Sequence, residues 1–446
     1  MSGKAALILV IGFTGIFLVK GLLWGNLSTR SVDNSVSYYE NTIARNIAVS
    51  GANIGLSEVE RDSNWVSNIT NADFQNGQVT VAITALGPST RTLISKSTFM
   101  GAEHTVKVKL MRDWRLFAEY AWFIPSVSTG AVPQVPWITG DSIWGGFHSN
   151  QFLVIDGDPV FFGKVSTLKG IKGTGDPQFL GGYEEGVQVD WDRTMKFPDL
   201  RQAAVNGQAE GGTCYFGGSG PKKNVWLTFN SDGTVTYRTA NTSAGDDSSK
   251  YSAPVTLPLT TMAPTGVIFV DNADVFISGT LQGEVTIVSE GSAGMGQGNV
   301  YLTGDIRYNT DPMIPNGEGG FKINPDCSDM MGIIATNNIF IATSEVSGGK
   351  ANNVDDPNIN IDAALFAVAG GMQVQNLGSY PANIPMGSMY LQGSMTAGKE
   401  ESVAIFDGST ITAGYRRNVI YDGRFSVTPP TWFPRSIYYR VVSWLE

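Results

Sequence analysis

Cysteine and histidine are almost absent from this chain, which has two of each in 446 residues. So few thiols and imidazoles nearly exclude a Cys/His zinc site, a histidine-rich metal cage and a small disulfide scaffold. Charged residues make up 16% of the chain, and 30 Lys and Arg against 40 Asp and Glu give a formal net charge of -10. Because there is no dense basic run, the sequence argues against nucleic acid as a partner.

Glycine, in contrast, is abundant. The 53 glycines are about 12% of the chain, where globular proteins average about 7%. Together with the low charge, this predicts many tight turns between short strands, on a surface made polar by Ser, Thr and Asn. The length allows one large domain or two to four ordinary ones.

Proline is missing from the sequence before Pro88, and the chain opens with a long apolar run. Residues 5–24, AALILVIGFTGIFLVKGLLW, hold thirteen large apolar side chains and one charge, Lys20. The run can just cross a bilayer. Its apolar residues contribute roughly -4 to -8 kcal/mol to insertion, against about +2.5 to +3.5 for a central lysine. We therefore predict a retained membrane-spanning helix; a cleaved secretory signal is the alternative, but no small-x-small site clearly follows the run.

A helical pattern continues beyond the apolar run. Apolar residues recur there at spacings of four, three, four and four, and once more seven residues on: Val32, Val36, Tyr39, Ile43, Ile47 and Ile54. This spacing puts them on one face of a helix. The sequence thus predicts a single helix that extends to about Arg61, apolar all round in its first half and amphipathic in its second.

The leader of residues 1–4, the apolar run and its continuation SVSYYENTIARNIAVSGANIGLSEVERD resemble the N-terminal helix of type IV pilin-like proteins, particularly large minor-pilin-like subunits of the bacterial envelope. The resemblance implies an apolar half that anchors the subunit in the inner membrane and later packs into a filament core. The amphipathic half would then seat a globular head. The implied partners are other copies of this chain in a helical homopolymer, the inner membrane and a pilus-type assembly machinery.

Two sets of helix residues follow from this interpretation. Assembly is predicted to depend on Leu7, Ile11, Ile16, Phe17, Leu22 and Trp24. The head or neighbouring subunits are predicted to be bound by Val36, Tyr39, Ile43 and Ile47.

After the helix (residues 1–61), alternating segments at 78–86, 91–98 and 104–110 predict a pilin-like β-meander over residues 62–137. The Asn-Gly pair at 76–77 is a hairpin signal within it.

The rest of the chain carries a degenerate repeat: apolar, any residue, apolar, polar or small, glycine. It occurs at residues 153–157, 275–279, 300–304, 389–393 and, with Thr in the last position, 339–343. Such rungs stack into a continuous core. They predict an irregular, right-handed-type β-helix over residues 138–169 and 255–446, with a C-terminal cap and an inserted lobe at 170–254. An irregular β-sandwich is the alternative.

The rungs, the stretch from Gly146 to Asn150 and the closing YDGRF...PP...FP...VVSW pattern also resemble uncharacterised bacterial envelope proteins that join a pilin-type helix to a β-helical body. The predicted fold class is therefore mainly β with one long N-terminal α-helix.

Few residues suggest chemistry. Cys214 and Cys327 are either a disulfide or two separate thiols. His104 and His148 have no nucleophile motif around them, although the partners of a catalytic triad need not be near in sequence. Calcium is the one cofactor considered, and its candidate ligands are the acidic pairs Asp271 with Asp274 and Asp355 with Asp356.

The sequence therefore predicts a structural subunit of an extracellular pilus-like filament, anchored in the membrane before assembly, with no catalytic, cofactor-binding or metal site. One alternative is a membrane-anchored, low-copy minor pilin, scaffold or adhesin. A second is a β-helical enzyme acting on polysaccharides, for which Asp407 and the pair Arg416-Arg417 are near the right region of sequence.

Overall fold

The computed structural model describes residues 2–61, 65–85, 89–125, 135–189, 197–294, 296–342, 357–377, 387–407 and 410–446. The chain divides into two compact units, residues 1–115 with 437–446, and residues 116–436. The predicted fold class, mainly β with one long N-terminal helix, is confirmed. We call the two units the head and the body.

The head begins with helix α1, Ser2–Arg61, which has 60 residues and is about 90 Å long at 1.5 Å per residue. No proline interrupts it. Its small polar side chains bond to the helix itself: the Thr14 hydroxyl donates to the carbonyl of Val10 at 2.7 Å, and that of Thr29 to Gly25 at 3.0 Å. These bonds satisfy the hydroxyl groups without interrupting the helix.

Five strands complete the head, and the first four of them pair in antiparallel fashion. They are β1 (Ile69–Phe74), β2 (Gly77–Ala85), β3 (Thr90–Phe99), β4 (Ala102–Leu116) and β32 (Arg435–Leu445), in the order β1-β2-β3-β4-β32. Turn residues at positive φ close the β1–β2 and β3–β4 hairpins: Gln75 and Asn76 at 49° and 62°, and Met100 and Gly101 at 48° and 94°. Two consecutive positive φ angles match the right-handed twist of the flanking strands.

The final strand corrects the predicted domain boundary, which placed residues up to 446 in the β-helical body. Tyr439 and Trp444 pack against the core of the head. The Arg91 guanidinium lies 4.5 Å from the centre of the Tyr439 ring, and Arg45 pairs with Glu446. Strand pairing with β4 and these side-chain contacts attach the end of the chain to the head sheet.

The body begins with turns of constant length. Its first strands are β5 (Trp122–Ile124), β6 (Trp137–Ile138), β7 (Ser142–Trp144), β8 (Phe147–Ser149), β9 (Leu153–Asp156), β10 (Val160–Phe161), β11 (Val165–Thr167), β12 (Ile171–Thr174), β13 (Gln178–Phe179) and β14 (Tyr183–Glu185). From β6 to β14 they form three parallel stacks, β6-β9-β12, β7-β10-β13 and β8-β11-β14. Partners are 18 residues apart, as Ser142 with Val160 and Val160 with Gln178.

The later elements are α2 (Pro198–Ala209), β15 (Tyr215–Phe216), β16 (Lys223–Phe229), β17 (Thr234–Asn241), β18 (Val255–Pro258), α3 (Leu259–Met262), β19 (Val267–Asp271), β20 (Val275–Leu281), β21 (Glu284–Glu290), β22 (Val300–Tyr308), β23 (Met313–Pro315), β24 (Phe321–Ile323), β25 (Met330–Ala335), β26 (Ile339–Ile341), β27 (Ile359–Ala367), β28 (Met372–Val374), β29 (Gly387–Ala397), β30 (Ala404–Asp407) and β31 (Thr410–Tyr421).

Two long parallel stacks run through these strands, β16-β20-β22-β26-β28 and β15-β19-β21-β25-β27-β29-β31. Strands β17 and β18 add to β16 in antiparallel fashion. The strands within these two stacks pair in parallel, whereas the strands of a β-sandwich pair in antiparallel fashion.

The early and late turns of the body meet at a seam, which we define as the pairing of β29 with β5 and of β31 with β7. Met395 lies opposite Trp122, and Asn418 lies opposite Ser142. The early turns extend from the seam to β14 on one side. The late turns begin with β15 and β16 at the opposite end of the stack and run back to the seam.

A buried ion pair crosses this seam. Arg417 Nη2 and Nε lie 2.8 and 3.0 Å from Asp141 Oδ2, and the backbone N–H of Arg417 donates to Oδ1 at 2.8 Å. The guanidinium also covers the Trp137 ring at 3.8 Å. Burial raises the pKa of Glu400 to about 7, and Arg417, whose Nη1 lies 3.4 Å from Glu400 Oε1, opposes that shift.

Two further predicted boundaries also need correction. The β-meander was predicted to reach residue 137, but β5 already belongs to the body because it pairs with β29 and β8. The inserted lobe at 170–254 is not separate: β12, β13 and β14 continue the 18-residue stacks, and β16 pairs in parallel with β20. The rung template requires two apolar residues and then a glycine, and each of these strands lacks a part of it: β12, β13 and β14 lack an apolar residue, and β16 has Phe229 in the glycine position.

Candidate assembly surface

The apolar half of α1 is exposed on every side. All thirteen large apolar side chains of residues 5–24 are between 55% and 75% exposed. Each residue turns the helix by 100°, so Ile16 and Phe17 point away from the side that bears Leu7, Ile11 and Leu22. Within the described chain, α1 is the one helix long and apolar enough to cross a membrane. The six residues predicted for assembly, Trp24 included, therefore belong to an unpartnered apolar cylinder.

The predicted stripe of the second half divides at about residue 40. Ile43 is half-buried and Ile47 is fully buried in the core of the head. Val36 and Tyr39 are 48% and 57% exposed, and the ring of Tyr39 makes an edge contact with Phe99 at 6.1 Å between ring centres. The structure thus packs Ile43 and Ile47 against the sheet of the head, whereas most of the surface of Val36 and Tyr39 is exposed to solvent.

Small residues bring α1 close to the sheet. The helix residues buried against it include Ala44, Ala48 and Ala52, and the Ser97 hydroxyl donates to the carbonyl of Ala44 at 2.5 Å. A Cβ on Gly51 would lie 2.5 Å from both Ser95 Oγ and Val79 Cγ2, which leaves no room for it. The sequence signal for this close contact is the four-residue spacing of the alanines at 44, 48 and 52. The predicted stripe was built from large apolar residues and did not include them.

We expect Gly51→Ala to destabilise the head. Alanine is favoured over glycine in a helix by about 1 kcal/mol, but crowding a packed core costs about 1–3 kcal/mol. Gly25→Ala is the matched control, because nothing lies within 4 Å of a Cβ there. Thermal unfolding of the full chain in detergent should show a lower melting temperature for Gly51→Ala only. Equal melting temperatures for the two variants would mean that the helix does not need this close approach.

Cys214 and Cys327 are both free thiols, and both are buried. The Cys214 thiol donates to the carbonyl of Ala204 at 3.2 Å, and burial raises its pKa to about 11. Cys327 Sγ instead lies 3.2 Å from Arg424 Nη1. The disulfide considered from the sequence is therefore not formed, because each thiol has its own separate packing environment.

His148 is enclosed in a hydrogen-bond network. Its Nδ1 lies 2.7 Å from Ser166 Oγ, its Nε2 lies 2.9 Å from Asn150 Oδ1, and the Asn150 amide donates to the carbonyls of Pro125 and Val189. The ring is fully buried and Ser166 is 7% exposed. A nucleophile must reach its substrate, so this network serves to hold strands together. His104 lies in β4, opposite Ser97 of β3.

The predicted calcium ligands Asp271 and Asp274 already have partners. Asp271 pairs with Arg201 at 3.2 Å and with Lys222 at 2.5 Å. Asp274 Oδ1 accepts from the backbone and the amide of Asn299 at 2.9 and 3.1 Å, and burial raises the pKa of this carboxyl to about 6. Both oxygens of Asp271 and Oδ1 of Asp274 are thus already bonded within the chain. The second pair, Asp355 and Asp356, lies outside the described residues.

The residues named for polysaccharide chemistry do not form one site. Arg417 is buried at the seam and bound to Asp141, so it cannot serve as an open base. Asp407 and Arg416 are exposed. Among the described residues there is no cluster of three or more His, Cys, Asp or Glu that could hold a metal.

No protein-family model and no curated protein matches the sequence. Among solved structures, the crystal structure of the competence-associated pilin ComZ from Thermus thermophilus aligns over 85% of this chain and 86% of that chain. The identity is 15% and the TM-score is 0.28. A TM-score of this size does not establish a shared fold.

Proposed function

We propose that this chain is a structural subunit of an extracellular pilus-like filament, which polymerises through the apolar half of α1 and carries the β-rich body on the outside. One observation supports this most: all thirteen large apolar side chains of residues 5–24 are more than half exposed. Burying each contributes about 1.5–3 kcal/mol. Lipid can supply that burial before assembly, and only other protein can supply it in an extracellular fibre.

The proposal includes no reaction, and it makes the head and the body display elements. The body, which we interpret as a β-helix, buries its own core within each chain. It therefore needs no partner in order to fold. The helix does need one, so the assembly contacts are expected to lie along α1.

A membrane-anchored, low-copy minor pilin, scaffold or adhesin is the second candidate, because a helix of this length and composition can also remain in the bilayer. Electron microscopy of material sheared from the cell surface separates the two. Regular fibres made mainly of this chain, as identified by mass spectrometry, are the expected result. Recovery of the chain only in the membrane fraction would contradict polymerisation and support the anchored form.

A further inference from the structure

The head has an open groove at the tips of the β1–β2 and β3–β4 hairpins, beside the helix. We call it the hairpin groove. It has a volume of about 660 Å³ and is lined by Asp73, Phe74, Gln75, Asn76, Gly77, Gln78, Thr98, Phe99, Met100 and Gly101. A Cβ on Gly77 would touch Ile47 of α1 at 2.7 Å, and Phe99 contacts Tyr39. The groove therefore lies level with helix residues 39–47.

Met100 is an unusual residue for its place in the groove. It sits in a hairpin turn at a φ of 48°, and its side chain is 74% exposed. Such turn positions favour Asn, Asp or Gly, because a positive φ is costly for other side chains. Met100 thus occupies a strained position and leaves an apolar side chain in solvent, with no benefit inside this chain. Residues held in this way often mark contact sites.

The helix beside the groove is also apolar and open. Tyr38 and Tyr39 are 76% and 57% exposed. Lipid is too far away to cover them: Trp24 ends the apolar run, and fifteen residues of helix place Tyr39 about 22 Å beyond it. The headgroup layer of a bilayer is only about 5–8 Å thick on each side. Lipid therefore does not reach this surface, and only a protein partner could bury it.

Charge complementarity points to a second copy of this chain as the protein partner. Lys20 is the only charged residue in the apolar run of residues 5–24. When copies of this run pack together, the ammonium group needs an anionic partner, since burying an unpaired charge is expensive. Asp73 lies exposed in the hairpin groove, and no ion pair of its carboxylate is present among the described residues.

We propose that the hairpin groove receives the apolar helix of a second copy of this chain, with Asp73 bound to Lys20 of that copy and Met100 packed on its apolar side chains. This inference rests on the proposed polymerisation. It implies a parallel arrangement in which neighbouring helices are offset along their axes. Placing residue 20 level with residues 39–47 requires an offset of about 28–40 Å at 1.5 Å per residue.

Disulfide trapping in assembled material tests this contact. The full chain carrying Lys20→Cys and Asp73→Cys is oxidised with copper phenanthroline, and dimers are scored on non-reducing gels. The natural thiols are buried and provide the background. Lys20→Cys with Thr84→Cys is the matched control, because Thr84 is also exposed but lies at the far end of β2, about 23 Å along the strand. We expect dimers in at least tenfold excess over this control.

The outcomes separate the two proposals. Assemblies that form without the selective cross-link would overturn the groove contact and leave polymerisation intact, whereas a wild-type chain that never assembles would overturn both. If the cysteine variant does not assemble, exchanging the charges decides. Lys20→Asp and Asp73→Lys should each reduce the yield of assemblies, and the double variant should restore it. A double variant no better than the worse single variant would contradict the pairing.

Discussion

Phe17→Asp is expected to abolish assembly of this chain while leaving its head and body folded. Phe17 is 70% exposed in the middle of the apolar run, so in a bundle of helices its side chain lies against neighbours. An aspartate at the centre of an apolar helix costs about 2.5–3.5 kcal/mol even in lipid, and the loss repeats at every subunit. Sedimentation and negative-stain electron microscopy should show no fibres.

Phe17→Leu is the matched control and should assemble normally, because it keeps an apolar side chain of similar size. Fibres of wild-type length from Phe17→Asp would contradict assembly through this part of the helix. A membrane fractionation accompanies the test, since the remaining twelve large apolar residues should still hold the variant in the bilayer.

A soluble fragment that shows the head and body folded without the apolar run must still keep part of α1. The sequence predicts that a fragment of residues 62–446 folds by itself, because the helix is read there as a separate element. In the structure, Ala44, Ile47, Ala48, Ala52 and Val59 belong to the core of the head. Removing them would expose the inner face of the sheet. The soluble fragment should therefore begin near residue 28, after the apolar run.

The long helix could be predicted because its signals are local. Apolar spacing and the lack of proline are visible within any twenty residues of the first sixty, and the structure has the helix at Ser2–Arg61. Its seat on the sheet was only half predicted. Ile43 and Ile47 were found by size, but the close contact depends on Gly51 and Gly55, where a Cβ would meet the sheet at 2.5 and 2.6 Å.

The rungs of the body share two further sequence features that the five-residue template does not include. The residue before each rung of one stack accepts the backbone N–H of the next turn: Asn224 from Asp274 at 3.0 Å, Asp274 from Asn299 at 2.9 Å, and Asn299 from Asn338 at 3.1 Å. The second residue is aromatic in the first four rungs of this stack, and these rings stack at 4.7–5.0 Å: Trp226, Phe276, Tyr301 and Phe340. A template that includes a polar residue before and an aromatic residue inside each rung would have found β16.

Other features have no local signal at all. The seam joins residues 276 positions apart, and strand β32 pairs with the head sheet across the whole body sequence. An alternating strand shows which of its faces is buried, but not which strand it pairs with. The predicted boundaries failed at these places because partner choice depends on the complete fold.

The seam yields the second large expected effect: Arg417→Leu should destabilise the body by about 3–5 kcal/mol, because it leaves Asp141 buried without its cation. Asp141 and Arg417 are 1% and 3% exposed. Arg416→Leu is the matched control, since the preceding side chain is exposed and replacing an exposed residue usually changes stability by less than about 0.5 kcal/mol. Thermal unfolding of the full chain, followed by near-ultraviolet circular dichroism, should show a drop of about 4–7 °C for Arg417→Leu.

The size of this effect distinguishes two ways of closing the body. Glu400, whose pKa burial raises to about 7, can take up a proton when Arg417 is lost. Asp141 then keeps only its hydrogen bonds from the backbone N–H groups of Ile138 and residue 417, at 3.1 and 2.8 Å. If Arg417→Leu unfolds like Arg416→Leu, strand pairing alone holds the early and late turns together. A large difference means that the ion pair locks the seam, and the body then cannot reach its final stability until residue 417 has been synthesised.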